Sequence, residues 1–264
     1  MRIANTYYSV GTFPVTGVGL GVSPVDLDEA LSDAVASLVF DDAGKDEIAA
    51  LLGGVTDTEF ARDNLETLLH LVREPEPWRV GEAIAEYLLT ESRYCNFPWP
   101  DGRDERKRGS SLPGADLVGF QYDGEADRFV FGEVKTSAEK SYPPGAVYGR
   151  HGLKQQIEDI RDRSEIRDDL VRYLAHRAVS ATWKERFKCA VALYLQNNND
   201  VRIFGILVRD VPPDVDDLRV RVHRLAQDCP ASMVIGLLAI YLPQGSIASL
   251  GSQVMAIRQR GGTR

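Results

Sequence analysis

The 264-residue chain carries 39 acidic against 31 basic residues, a formal net charge of -8 at pH 7. Affinity for naked nucleic acid comes largely from neutralising phosphates, so this balance excludes strong non-specific binding unless the basic residues cluster or a partner delivers the protein. No apolar run reaches the roughly 18 residues that a membrane-spanning helix needs, and the first residues lack the basic-then-apolar pattern of a secretory leader, so a cytoplasmic location is expected.

In chain order, Tyr7 to Ser23 is rich in Val, Thr, Gly and Phe and predicts one or two short strands around a Gly-containing turn. Ser23-Pro24 then opens a helical stretch from Asp26 to Phe40, followed by Lys45 to Leu52 and Asp57 to Val72. Pro75 and Pro77 stand too close together to lie inside a helix, so a mixed, mainly helical N-terminal subdomain is expected over residues 1–76. A helix follows from Trp78 to Thr90, then a charged loop from Ser92 to Gly114 that holds Arg103, Arg106, Lys107 and Arg108. Ala115 to Tyr122 and Arg128 to Thr136 predict two strands joined at Asp123-Gly124-Glu125-Ala126. Beyond a Pro/Gly segment, Leu153 to Ala178 is helical, while Lys188 to Leu195, Val201 to Val208 and Leu218 to Leu225 predict strands. Met233 to Leu242 predicts a strand or a buried helix. The core is expected over 77–245, with a tail over 246–264 that is disordered after Arg258.

Within Arg128 to Lys135, strand alternation puts Phe129, Phe131, Glu133 and Lys135 on one face. Two opposite charges then emerge side by side from an apolar strand, and buried charge is costly unless it is paired or bound to a metal. In an antiparallel hairpin the start of one strand lies beside the end of the next, which sets Asp116 next to Glu133 and Lys135. Carboxylates on neighbouring strands beside a cationic group match what phosphodiester hydrolysis needs: oxygen ligands for a hard divalent cation and a charge near the attacking water.

Pro113-Gly114-Ala115-Asp116, the hairpin and Glu133-Val134-Lys135 together resemble the PD-(D/E)XK motif of restriction-endonuclease-like nucleases. Pro113 lies three residues ahead of Asp116, where the family has it adjacent. The resemblance implies an α/β fold with an α-β-β-β-α-β core, its mixed sheet flanked by helices, and Mg²⁺ or Mn²⁺ held by Asp116 and Glu133 while Lys135 orients water. It further implies a Glu on the preceding helix. Glu82 borders the apolar stripe there, whereas Glu86 is expected to face solvent. A Gln on the following helix is implied as well, and Gln156 lies nearer the buried stripe than Gln155. Arg103, Arg106, Lys107, Arg108, Arg150 and Lys154 are candidate nucleic-acid contacts, the last two at a helix start.

More loosely, the layout is similar to the nuclease component of Hachiman-type anti-phage systems, which implies a DNA-cleaving effector that works with a protein partner such as a helicase. A catalytically inactive scaffold subunit of the same fold is the alternative, and an RNA target stays open. Singly, Asp116 also suits a turn, Glu82 a helix dipole, and the arginine run a solvated loop. Cys95, Cys189 and Cys229 are far apart and fit reduced thiols; the four histidines have no ligand spacing, and Trp78, Trp99 and Trp183 are too dispersed to predict a stacking platform.

Overall fold

The computed structural model describes residues 2–54, 58–69, 73–100, 103, 114–149 and 151–261. It is an α/β fold. Seven strands form one mixed sheet: β1 (Asn5–Thr12), β2 (Val15–Gly21), β3 (Cys95–Asn96), β4 (Leu117–Tyr122), β5 (Asp127–Ser137), β6 (Arg202–Arg209) and β7 (Val234–Tyr241). Their order across the sheet is β1-β2-β7-β6-β5-β4-β3. The central four, β2, β7, β6 and β5, are parallel, and an antiparallel partner closes each side.

Ten α-helices lie among the described residues. The first four are α1 (Pro24–Ser32), α2 (Ala34–Phe40), α3 (Asp42–Leu52) and α4 (Glu59–Leu69), followed by α5 (Pro77–Arg93). After the hairpin come α6 (Leu153–Asp162), α7 (Ser164–Ala178), α8 (Lys184–Gln196), α9 (Arg219–Ala226) and α10 (Leu250–Gly261). One apolar layer lies between the sheet and α6 to α9, with Phe129, Phe131, Ile157 and Leu174 in it. The other lies between the sheet and α1, α2, α5 and α10, around Val130, Val134, Ile84 and Leu250. The two halves of the β5 alternation thus feed opposite cores, as a strand covered on both faces must.

The N-terminal segment is part of this sheet, since β2 pairs in parallel with β7. Ser23 caps α1 by accepting from the Asp26 N–H at 3.1 Å, with Pro24 in the first turn.

Three expectations are overturned. Lys188 to Leu195 lies within α8, where Phe187, Ala190, Val191 and Tyr194 make the inward stripe. Leu218 to Leu225 leads into and through α9, with Leu218, Val222 and Leu225 buried and Val220 exposed. The first stripe recurs at i, i+3, i+4 and i+7 and the second at i, i+4 and i+7, a helical period that short apolar runs hide. Finally, the chain after Arg258 continues α10 to Gly261, and that helix buries Leu250 and Val254 in the core. Among the described residues no helix is long and apolar enough to cross a membrane.

Candidate active site

The β4-β5 pair sets the geometry. Leu117 stands opposite Gly132, so Asp116, one residue ahead of β4, comes level with Glu133. The Asp116 Oδ2 accepts a hydrogen bond from the Val134 N–H at 2.7 Å, which fixes the carboxylate across the strand gap. Lys135 Nζ donates to Glu133 Oε1 at 2.5 Å. Glu133 is 1% exposed, and its Oε2 has no hydrogen-bond partner.

Helix α5 brings further charges to the same place. Gly81 permits this, because a side-chain carbon there would lie 2.0 Å from Thr136 Oγ1 on β5; only glycine lets the helix approach so closely. Arg79 and Glu82, on either side of Gly81, form an ion pair at 3.2 Å. Glu82 and Glu86 then line one cavity with Asp116, closed by Phe97 and Leu38. The expectation that Glu86 faces solvent fails because α2 packs over α5 on that side. Sequence reasoning also missed Arg79; its signal was its place three residues before Glu82.

Four carboxylates (Glu82, Glu86, Asp116, Glu133) therefore share two cations (Arg79, Lys135). Burial, then the field of Asp116, pushes the Glu133 carboxyl up to about 8, against opposing effects of Lys135 and the Gln156 side chain. Burial likewise raises Asp116, opposed by Lys135 and the Val134 N–H. Glu86 rises to about 7 by burial, with Arg79 pulling the other way. Burial works to lower Lys135, yet the fields of Glu133 and Asp116 outweigh it and its pKa is raised.

Of the sequence candidates, Asp116, Glu133, Lys135, Glu82 and Gln156 come together. Gln155 instead bonds Asp159 on the exposed side of α6. Lys154 pairs with Glu158 at 3.5 Å. Arg103 is clamped by Asp41 at 2.8 Å and Glu47 at 3.2 Å, with its guanidinium over the Trp99 ring. Arg106, Lys107, Arg108, Arg150 and Pro113 lie outside the described residues. Trp99 and Trp183, separate in sequence, line a single cleft.

All the acidic donors are oxygens, the ligand type of a hard cation, and the buried Glu133 Oε2 has no hydrogen-bond partner. Among the described residues no three His, Cys, Asp or Glu side chains form a ready metal cage. No protein-family model matches the chain, and no curated protein does.

Proposed function

We propose that this chain is a Mg²⁺- or Mn²⁺-dependent nuclease that hydrolyses phosphodiester bonds of DNA on a restriction-endonuclease-like plan. The convergence of Asp116, Glu133 and Lys135 at the shared end of β4 and β5 carries this reading. The element order supports it: α5, β3, β4, β5, α6 and β6 run α-β-β-β-α-β, with α7 and α8 added before the last strand.

Asp116 and Glu133 would hold the cation, with Glu82 near enough to act through a water. Two carboxylates suit Mg²⁺, which keeps waters and takes substrate oxygens in place of a full protein cage. Bound there, a divalent cation polarises the phosphoryl oxygen and makes water more acidic. Lys135, kept charged by its acidic neighbours, orients the attacking water and faces the charge that grows on the phosphoryl oxygens. Gln156 steadies Glu133 from α6. Arg79 holds Glu82 in position.

The net charge of -8 supports delivery by a partner, and the layout favours an anti-phage effector working beside a helicase. One observation favours a second reading, a catalytically silent scaffold: Lys135 already occupies Glu133 Oε1.

Supercoiled plasmid incubated with Mn²⁺ separates the two. Cleavage by Lys135→Ala and by Glu133→Gln should fall by about 100- to 1000-fold while the unfolding transition is kept. Undiminished cleavage by both variants rejects the assignment, and an inert wild type favours the scaffold.

A further inference from the structure

We infer that the helix pair α3 and α4 is a docking surface for another protein, one whose groove has an apolar floor and a basic rim. Residues 41–76 hold ten acidic side chains against three basic ones, while the rest of the chain, with 29 acidic and 28 basic residues, is almost neutral. Nearly the whole net charge of -8 is therefore a property of this one segment.

The two helices bury little of themselves. α3 buries only Gly44, and none of the described side chains of α4 is buried. Ile48 is 44% exposed, Leu51 79% and Phe60 76%, the last in the first turn of α4. Each helix has 11 residues, a length that is marginal in water alone, and helices in proteins are held chiefly by burying an apolar face. The first half of α3 is instead tied down by charge: Asp41 and Glu47 bind Arg103, and Asp42 binds Arg258 at 2.6 Å. Its outward Ile48 and Leu51 stand three apart, the spacing with which a helix anchors in a groove.

Charge selects the occupant. Nucleic acid and anionic lipid carry the same sign as the segment, and a helix that lies on such a membrane has a basic polar face. A second copy of α3 and α4 would bring its own acidic excess and be repelled. A protein groove with Lys or Arg at its rim is attracted and steered, and its apolar floor would cover Leu51 and Phe60. The inference takes from the proposed function only the expectation of a protein partner; none of the carboxylates of the candidate active site is involved.

The probe is a fluorescein-labelled helical peptide of about 18 residues that combines Lys and Leu, with two controls, one with Ser for Leu and one with Glu for Lys. In anisotropy titrations the full chain should bind the Lys/Leu peptide at least about tenfold more tightly than either control. Leu51→Ser combined with Phe60→Ser should weaken that binding about tenfold with the melting temperature unchanged, because both side chains are exposed. Hydrogen exchange in α3 and α4 should slow when the peptide binds. No binding, equal affinity for the Lys/Ser peptide, or equal affinity in the double variant overturns the inference. Self-association in sedimentation, or binding to phosphatidylglycerol vesicles, that the double variant abolishes overturns it too, by assigning the surface to a second copy or to lipid. The two proposals fail separately: Mn²⁺-dependent cleavage without peptide binding sinks only the docking surface, and peptide binding without cleavage sinks only the nuclease.

Discussion

Two places in the sheet bury charge, and they do so differently. At the ends of β6 and β7, Arg209 and Asp217 are both fully buried, 3.4 Å apart, one cation to one anion. Arg209 also donates to the carbonyls of Ser137 at 3.2 Å and Ser141 at 2.9 Å, and Tyr241 donates to Asp217 at 2.7 Å with Tyr8 behind it. At the end of β4 and β5, four carboxylates meet two cations, and each cluster leaves buried atoms without a hydrogen-bond partner, Arg209 Nε and Asp217 Oδ1 in the first and Glu133 Oε2 in the second. Burial alone does not mark a site, because both clusters are buried. The charge imbalance does: the first cluster sets one cation against one anion, while the second holds more carboxylates than cations and is the one expected to be stabilised by an added cation.

The comparison breaks most visibly if one member of the balanced pair is removed. Arg209→Met leaves Asp217 buried and uncompensated, and should destabilise the fold by about 3 to 5 kcal/mol in denaturant titrations. Removing a member of the unbalanced set should act the other way on stability: Glu133→Gln takes out a repelled charge and should leave the unfolding midpoint equal or higher.

The pH dependence sharpens the contrast. Glu133 is raised from an ordinary value of 4.5 to about 8, so the folded chain binds its proton more tightly than the unfolded chain. The stability this contributes is fully present below about 4.5 and declines as pH rises toward about 8. Asp116 and Glu86 shift in the same direction. The melting temperature without divalent cation should therefore fall between about pH 5 and pH 8, and Glu133→Gln should flatten the slope. A slope unchanged in Glu133→Gln would remove Glu133 from the account.

A smaller effect is expected where the helix meets the sheet. Gly81→Ala places a methyl group against Thr136 and should destabilise the protein by about 1 to 3 kcal/mol, the usual range for overpacking. It should also displace Arg79 and Glu82, so cleavage should fall more than stability implies. Equal losses in both would mean that the close approach serves packing alone.

The central motif was legible in the sequence because it is local. Period-two alternation and one tight hairpin suffice to bring Asp116, Glu133 and Lys135 together. The α8 and α9 segments were not legible. Val220 and Val222 alternate with Arg219, Arg221 and His223 like a strand, although the buried members, Leu218, Val222 and Leu225, follow a helical stripe. The short run at Ala190 to Leu195 fits either period until Phe187 is counted with it. Glu86 and the pairing of Trp99 with Trp183 needed tertiary contacts, from α2 over α5 and from α7 and α8 beside β4, that no local pattern encodes.

The most direct measurement is calorimetric titration of Mn²⁺ into the protein near neutral pH, in two buffers of different ionisation enthalpy. Binding should release protons, because Glu133 is partly protonated there, and both the binding and the release should be lost in Glu133→Gln. Mn²⁺ bound equally well by Glu133→Gln, or taken up by the wild type with no proton released, would contradict the claim that these unbalanced carboxylates are the cation site.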